Sequence, residues 1–299
     1  MTTRPHSAPP FALFIRGANS VIFDLSDQLG FEMDMQALAV SVFEDGPDTM
    51  FVQALFETEA EAQTCAAALN LTGLEHSISQ LPDEDWTSKS QAGLPPVEAG
   101  RFFIYGSHDA DNIPMHTPYP IRIDAGLAFG TGHHGTTKGC LLAFEALCAP
   151  RSKVKQISHW PKTILDLGCG SGVLAIAAAK SLNRDVLASD IDQDAVDVTI
   201  ENARINGAAD RVTAVQADGI PGDAKFDLIF ANILAGPLVV LAPSIAGALA
   251  SGGHVILAGL LDEQAERVIT SYEAQGLKII RKSSLSGWTI LTMALLDKG

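Results

Sequence analysis

From Thr163 onward the chain alternates between short apolar runs and longer segments with helical spacing. The apolar runs are Ile164–Leu167, Val186–Ser189, Val212–Ala217, Phe226–Ala231 and His254–Leu257. Between them, Val173–Ser181, Gln193–Asn206, Pro237–Ala250 and Asp262–Gln275 read as helices. Runs this rich in apolar residues are covered on both faces, which predicts a parallel sheet flanked by helices. The final runs, Leu277–Lys282 and Thr289–Leu295, are separated only by Ser283–Trp288. So short a connection holds no crossover helix, and the two strands must be antiparallel. The expected fold class is α/β, a seven-stranded Rossmann-like sheet with an antiparallel last strand.

The N-terminal pattern is different. Phe11–Ile15 reads as a strand, and Ala18–Gly30 as a helix with apolar positions at Val21, Ile22, Leu25 and Leu29. Strands at Leu38–Phe43 and Met50–Phe56 flank the turn-forming run Glu44–Asp48. Thr58 is placed to cap a helix over Glu59–Leu69, and a last strand covers Glu75–Leu81. The order β-α-β-β-α-β predicts a small α+β, ferredoxin-like domain. Pro82–Gly100 is polar and marked by Pro and Gly, as a linker would be. After it come an apolar strand at Phe102–Tyr105, a loop to Pro120, the run Ile121–Asp124, a glycine-dense loop, a helix at Thr136–Leu147 and a polar connector at Ala149–Lys162. The expected division is an N-terminal domain over 1–82, a linker and connecting segment over 83–120, and a catalytic domain over 121–299.

Composition changes this picture little; charge changes it more. The chain is 47% hydrophobic and 18% charged, and no apolar stretch reaches the roughly 20 residues that span a bilayer. Met1–Pro10 has no apolar run of the kind a secretory signal needs. Cys65, Cys140, Cys148 and Cys169 form no CxxC pair and read as reduced thiols of a cytoplasmic protein. The net charge of −15 is uneven: residues 1–100 hold 15 acids against Arg4, Arg16 and Lys89. Such a surface repels duplex or folded nucleic acid, so no direct nucleic-acid binding is expected. It attracts a basic protein, unless the acids serve only solubility.

The candidate chemistry lies at the strand ends. Gly168, Gly170 and Gly172 follow the first strand of the sheet in the run Asp166-Leu167-Gly168-Cys169-Gly170-Ser171-Gly172. Ligands of open α/β sheets collect at this edge, where a backbone without Cβ atoms admits close approach. Val173 stands where a dinucleotide fingerprint would have its third glycine, and Asp166 would oppose a pyrophosphate. Beside a cofactor carrying an amino group and a sulfonium, a carboxylate is favourable. S-adenosyl-L-methionine fits that description. Asp190, at the end of the second strand, can accept both ribose hydroxyls. Asp218, after the third, is placed to meet the adenine amino group. Cys169 reads as a packing residue, since no base stands near it in sequence.

The run Asp124-Ala125-Gly126-Leu127-Ala128-Phe129-Gly130-Thr131-Gly132-His133-His134-Gly135-Thr136-Thr137 is long and unusual. Together with Ile164–Gly172 and Asn232-Ile233-Leu234-Ala235, it resembles the methyltransferases of the eleventh large-subunit ribosomal protein, the PrmA family. The likeness spans nearly the whole chain, including the acidic N-terminal domain, the Asp85-Trp86 junction and Trp288. It implies a methyltransferase using S-adenosyl-L-methionine. It further implies trimethylation of lysine side chains and of the N-terminal α-amino group of that ribosomal protein, gripped by an N-terminal domain that swings on the linker. Carried over by position, Thr137, Gly168, Asp190 and Asn232 would contact the cofactor. The loop with Phe129, Gly130 and Thr131 would fold over it. Ala125 and Gly135 replace prolines of the family pattern, which would free the loop.

Asn232 is also the candidate catalytic residue, its side-chain oxygen and the carbonyls of Asn232 and Ile233 holding the amine. No metal is expected, because the adjacent His133 and His134 point apart and no third ligand has suitable spacing. Asn-Ile-Leu-Ala in place of Asn-Pro-Pro-aromatic argues against nucleobase and glutamine substrates. The GxGxG spacing and antiparallel ending argue against an NAD-dependent oxidoreductase, and intact Asp166, Asp190 and Asn232 argue against a non-catalytic binding module.

Overall fold

A computed structural model describes residues 9–18, 21–22, 25–26, 28–29, 37, 39–44, 49–81, 96–123, 134–148 and 161–296. The chain divides into two compact units, Met1–Trp86 and Thr87–Gly299.

The first unit holds strands β1 (Phe11–Ala18), β2 (Ala39–Glu44), β3 (Thr49–Phe56) and β4 (Glu75–Gln80), with helix α1 (Glu59–Ala68) between the last two. Burial in β3 alternates residue by residue, with Met50, Val52, Ala54 and Phe56 turned into the core. The sheet order is β2-β3-β1-β4 and every neighbouring pair is antiparallel, which is the ferredoxin-like arrangement. The described residues between 21 and 29 are helical, and Ile22, Leu25 and Leu29 are buried as their spacing predicts. Thr58 caps α1: its hydroxyl accepts from Glu61 N–H at 3.3 Å while the Glu61 carboxylate accepts from Thr58 N–H at 2.9 Å.

The second unit opens with a three-stranded sheet of β5 (Val97–Ala99), β6 (Phe102–Tyr105) and β7 (Tyr119–Arg122). β5 lies inside the stretch expected as linker; three residues are too few to show a period of two in sequence. Helix α2 (His134–Cys148) carries Glu145, which accepts from both the backbone N–H and Nε of Arg101 at 3.2 and 2.7 Å. This pair fixes the small sheet to α2. Phe144 of the same helix stacks on Phe102 and meets Phe230 edge-on, at 6.0 and 5.3 Å between ring centres.

The large sheet comprises β8 (Ile164–Leu167), β9 (Val186–Asp190), β10 (Val212–Gln216), β11 (Phe226–Asn232), β12 (Leu249–Leu261), β13 (Leu277–Leu285) and β14 (Trp288–Leu295). Its order is β10-β9-β8-β11-β12-β14-β13, with β14 antiparallel to both neighbours and the other pairings parallel. Helices α3 (Val173–Leu182), α4 (Gln193–Ile205), α5 (Ala235–Ala248) and α6 (Ala265–Glu273) cover the faces. Two apolar clusters form on the sheet, one including Ile164, Ile176, Ala188 and Phe230, the other Leu165, Leu167, Ile229 and Leu257. Every residue of β8 is buried, which is why its sequence lacks alternation. β12 is longer than expected and takes Leu249 and Ala250 from the predicted helix, because Leu249 pairs with Phe226. β13 and β14 meet in a two-residue turn, Ser286-Gly287, with φ of 53° and 82°.

Candidate active site

The pairing register aligns the strand ends. Asp190 pairs with Gln216, Leu167 with Ser189 and with Ala231, and Asn232 with Ala258. One residue past Leu167, Gly168 therefore stands level with Asp190 on one side and Asn232 on the other. These three lie in a row on the carboxyl edge of the sheet, where the strand order reverses around β8 and β11.

The run 168–172 leaves no room for a side chain at Gly168 or Gly172. Gly168 and Gly172 have φ of 68° and 76°, a region costly for other residues. A Cβ on Gly168 would lie 2.3 Å from Ile233 Cγ2, and one on Gly172 2.8 Å from Thr199 Cγ2. Gly170, with φ of 51°, donates its N–H to Asp190 Oδ2 at 2.9 Å. Gly168 and Cys169 both donate to the Ser189 carbonyl, at 2.8 and 3.0 Å. Two side chains of α4 hold the loop from beneath. Thr199 Oγ1 donates to the Gly170 carbonyl at 2.9 Å, and Asn202 Nδ2 to the Ser171 carbonyl at 2.9 Å. Both are buried polar residues on an otherwise apolar helix face. Sequence reasoning passed over them; their one signal is a Thr and an Asn among Ala195, Val196 and Ala203.

Asp190 can take a ligand as it stands. Its Oδ2 accepts from Gly170 and its Oδ1 from Asp192 N–H at 3.1 Å, so each oxygen keeps lone-pair capacity for a hydroxyl. Burial raises its pKa above the ordinary carboxylate range, opposed by those N–H donors. Ile191, beside it, is 66% exposed although it is large and apolar. An exposed apolar residue directly after Asp190 is a second feature that sequence reasoning missed. Asp218 is exposed at the rim of an open cleft lined by Ile220, Leu241 and Ser244.

Asp166 lies near the end of β8, two residues before Gly168. It is only 1% exposed, and its Oδ2 accepts the Ala175 N–H at 2.8 Å, inside the first turn of α3. Burial, with a smaller push from Asp190, raises its pKa to about 7 despite that hydrogen bond. One carboxylate oxygen thereby satisfies a helix N–H left unpaired by the first turn of α3. Cys169 is the packing residue that the sequence indicates: it is buried, and burial pushes its thiol pKa up, away from reactivity.

Asn232 is half-buried at the end of β11. Thr137 is 2% exposed in the first turn of α2, which packs over β12 and β14. Phe129, Gly130 and Thr131, with Ala125, lie outside the described residues. Gly135 is not part of the loop: it sits inside α2, where a Cβ would lie 2.8 Å from Trp288 Cδ1 and 3.1 Å from the Leu285 carbonyl. The missing proline there corresponds to a close contact with Trp288, not to a freer loop.

A sheet of this order, with one antiparallel strand and a glycine cradle after β8, defines the seven-stranded methyltransferase class. The particular family follows from comparison. The family model described as ribosomal protein L11 methyltransferase (PrmA) matches residues 10–295. A ribosomal protein L11 methyltransferase of Rhodopseudomonas palustris is 40% identical over 294 residues, 95% of this chain and 96% of its own. One from Brucella suis is 43% identical over 267 residues, 87% and 90% of the two chains. The crystal structure of a ribosomal protein L11 methylase from Lactobacillus delbrueckii matches with a TM-score of 0.60 at 31% identity, covering 68% of this chain and all of that one. The chain belongs to the PrmA family of S-adenosylmethionine-dependent methyltransferases.

Proposed function

We propose that this protein methylates lysine side chains and the N-terminal amino group of large-subunit ribosomal protein L11, with S-adenosyl-L-methionine bound across the carboxyl edge of the large sheet. The observation that carries the reading is the single row of Asp190, Gly168 and Asn232 on that edge. Asp190 has the lone-pair capacity to hold the ribose hydroxyls, and the adenine ring and its amino group are assigned to the neighbouring Ile191 and Asp218. Gly168, Gly170 and Gly172 leave room for the methionine part, with Asp166 fixing the loop from behind through Ala175. Thr137 and the segment with Phe129, Gly130 and Thr131 complete the cofactor contacts. When bound, S-adenosyl-L-methionine supplies a methyl carbon activated by its sulfonium.

The chain's own part is orientation. A free lysine, with a pKa near 10.4, is mostly protonated at neutral pH, and a site that excludes water favours the neutral amine. Asn232 Oδ1 and the carbonyls of Asn232 and Ile233 accept the amine's N–H groups and so aim its lone pair outward along the row. Proximity and alignment then carry the rate, and no side chain is assigned as general base. The substrate-gripping role is assigned to the N-terminal unit and the catalytic role to the unit from Thr87 onward, which includes β5, β6 and the start of β7 inside the expected 83–120 connecting segment. The acidity of the first hundred residues suits a basic protein and not nucleic acid. No described helix is long and apolar enough to cross a membrane, and the assigned location is the cytoplasm.

Incubation with methyl-labelled S-adenosyl-L-methionine and an unmethylated ribosomal extract tests the assignment. Label on protein L11 is expected; label on RNA, or on nothing, overturns it.

A further inference from the structure

β12 carries one extra residue at the level of the active-site edge. Its pairing with β14 runs from Leu257 opposite Leu291 to Leu260 opposite Thr289, three steps against two. The bulge follows Ala258, which pairs with Asn232 of β11. Gly259 occupies it with φ of 86°, and a Cβ there would lie 2.3 Å from the carbonyl oxygen, 2.7 Å from the carbonyl carbon and 3.1 Å from the nitrogen of Ile233. These are backbone atoms, which cannot swing aside as a side-chain tip can. The side chain of Ile233 meets a second glycine, since a Cβ on Gly168 would lie 2.3 Å from its Cγ2. Ile233 is thus held between the cofactor loop and the β12 bulge, at contacts that only glycine permits. Gly252 in the same strand offers a contrast: its φ is 71°, yet nothing lies within 4 Å of where its Cβ would be.

We propose that Gly259 is a positioning residue for methyl transfer. By letting β12 close on the Ile233 peptide, it sets the direction of the acceptor groups on Asn232 and Ile233. The proposal rests on the reading of Asn232–Ile233 as the amine-holding segment. It adds that the geometry of this segment is imposed from β12, through a residue that touches neither cofactor nor substrate.

The test compares Gly259→Ala with Gly252→Ala in the full chain. Both introduce a side chain at positive φ, but only the first meets backbone atoms. Cofactor Kd is measured by calorimetry, together with kcat and KM on purified ribosomal protein L11. The expected result is a kcat lowered roughly tenfold or more in Gly259→Ala. Cofactor Kd, KM and the kcat of Gly252→Ala should stay within about threefold of the parent. Equal kcat in the two variants, or a loss that follows cofactor Kd alone, overturns the proposal. If the parent protein itself transfers nothing to the amine, the assigned function fails instead. Should Gly259→Ala not fold, a crystal structure of the parent chain with S-adenosylhomocysteine and a lysine peptide decides. An amine on the Ile233 carbonyl supports the proposal; an amine on Asn232 Oδ1 alone overturns it, and one touching neither overturns the assigned amine site instead.

Discussion

Asp166 and Asn232 both sit at strand ends near the cofactor edge and do opposite things. Asp166 is enclosed, hydrogen-bonded to Ala175 and pushed by burial to a pKa of about 7. A carboxyl whose pKa is raised by folding stabilises the native state fully below its unfolded value near 3.8. That contribution is lost as pH climbs through about 7. Asp166→Asn keeps an acceptor for Ala175 and removes the ionisation. Denaturant unfolding across this window should show the variant gaining stability relative to the parent as pH rises, then levelling off; parallel curves would refute the assignment. Asn232, by contrast, is half-buried at the end of β11. Asn232→Ala should lower kcat by about a hundredfold, the scale of a lost orientation. An unaltered methylation rate would remove Asn232 from the amine site.

At the scale of elements, the loop after β8 owes its shape to α4. Thr199→Val preserves the volume beneath Gly172 while deleting the donor to the Gly170 carbonyl. It should cost about 1–3 kcal/mol and weaken cofactor binding in parallel; full stability in thermal unfolding would show the clamp to be idle. This clamp also marks what the sequence could and could not tell. The strands of the large sheet were legible because burial on both faces leaves mostly apolar runs without alternation, as in Ile164–Leu167, where Asp166 is the one polar residue. The antiparallel ending was legible because Ser283–Trp288 is too short for a crossover. The direction of Asp166, the grip of Thr199 and Asn202, the exposure of Ile191 and the Gly259 contact with Ile233 were not. Each depends on a partner brought close by the fold, such as Gly170 meeting Thr199 across 29 positions, and no local pattern records it. Gly135 was misjudged for the same reason, since Trp288 is remote in sequence.

For the whole molecule, charge is as informative as fold. Fifteen acids and three bases in the first hundred residues give that end a strong field, while the remainder is close to neutral. Attraction to a basic substrate acts on encounter and is screened beyond about 8–10 Å at ordinary ionic strength. Raising salt should therefore increase KM for the protein substrate while leaving kcat and cofactor Kd nearly unchanged. A salt-independent KM would mean that the acidic surface takes no part in recognition. The most direct test of the central claim uses purified, unmethylated ribosomal protein L11, S-adenosyl-L-methionine and this protein, with peptide mass mapping of the product. The account predicts methyl groups on lysine ε-amines and on the N-terminal α-amine, formed about a hundredfold more slowly when Asn232→Ala replaces the parent. Unmodified product, or methyl groups on residues other than these amines, would contradict it.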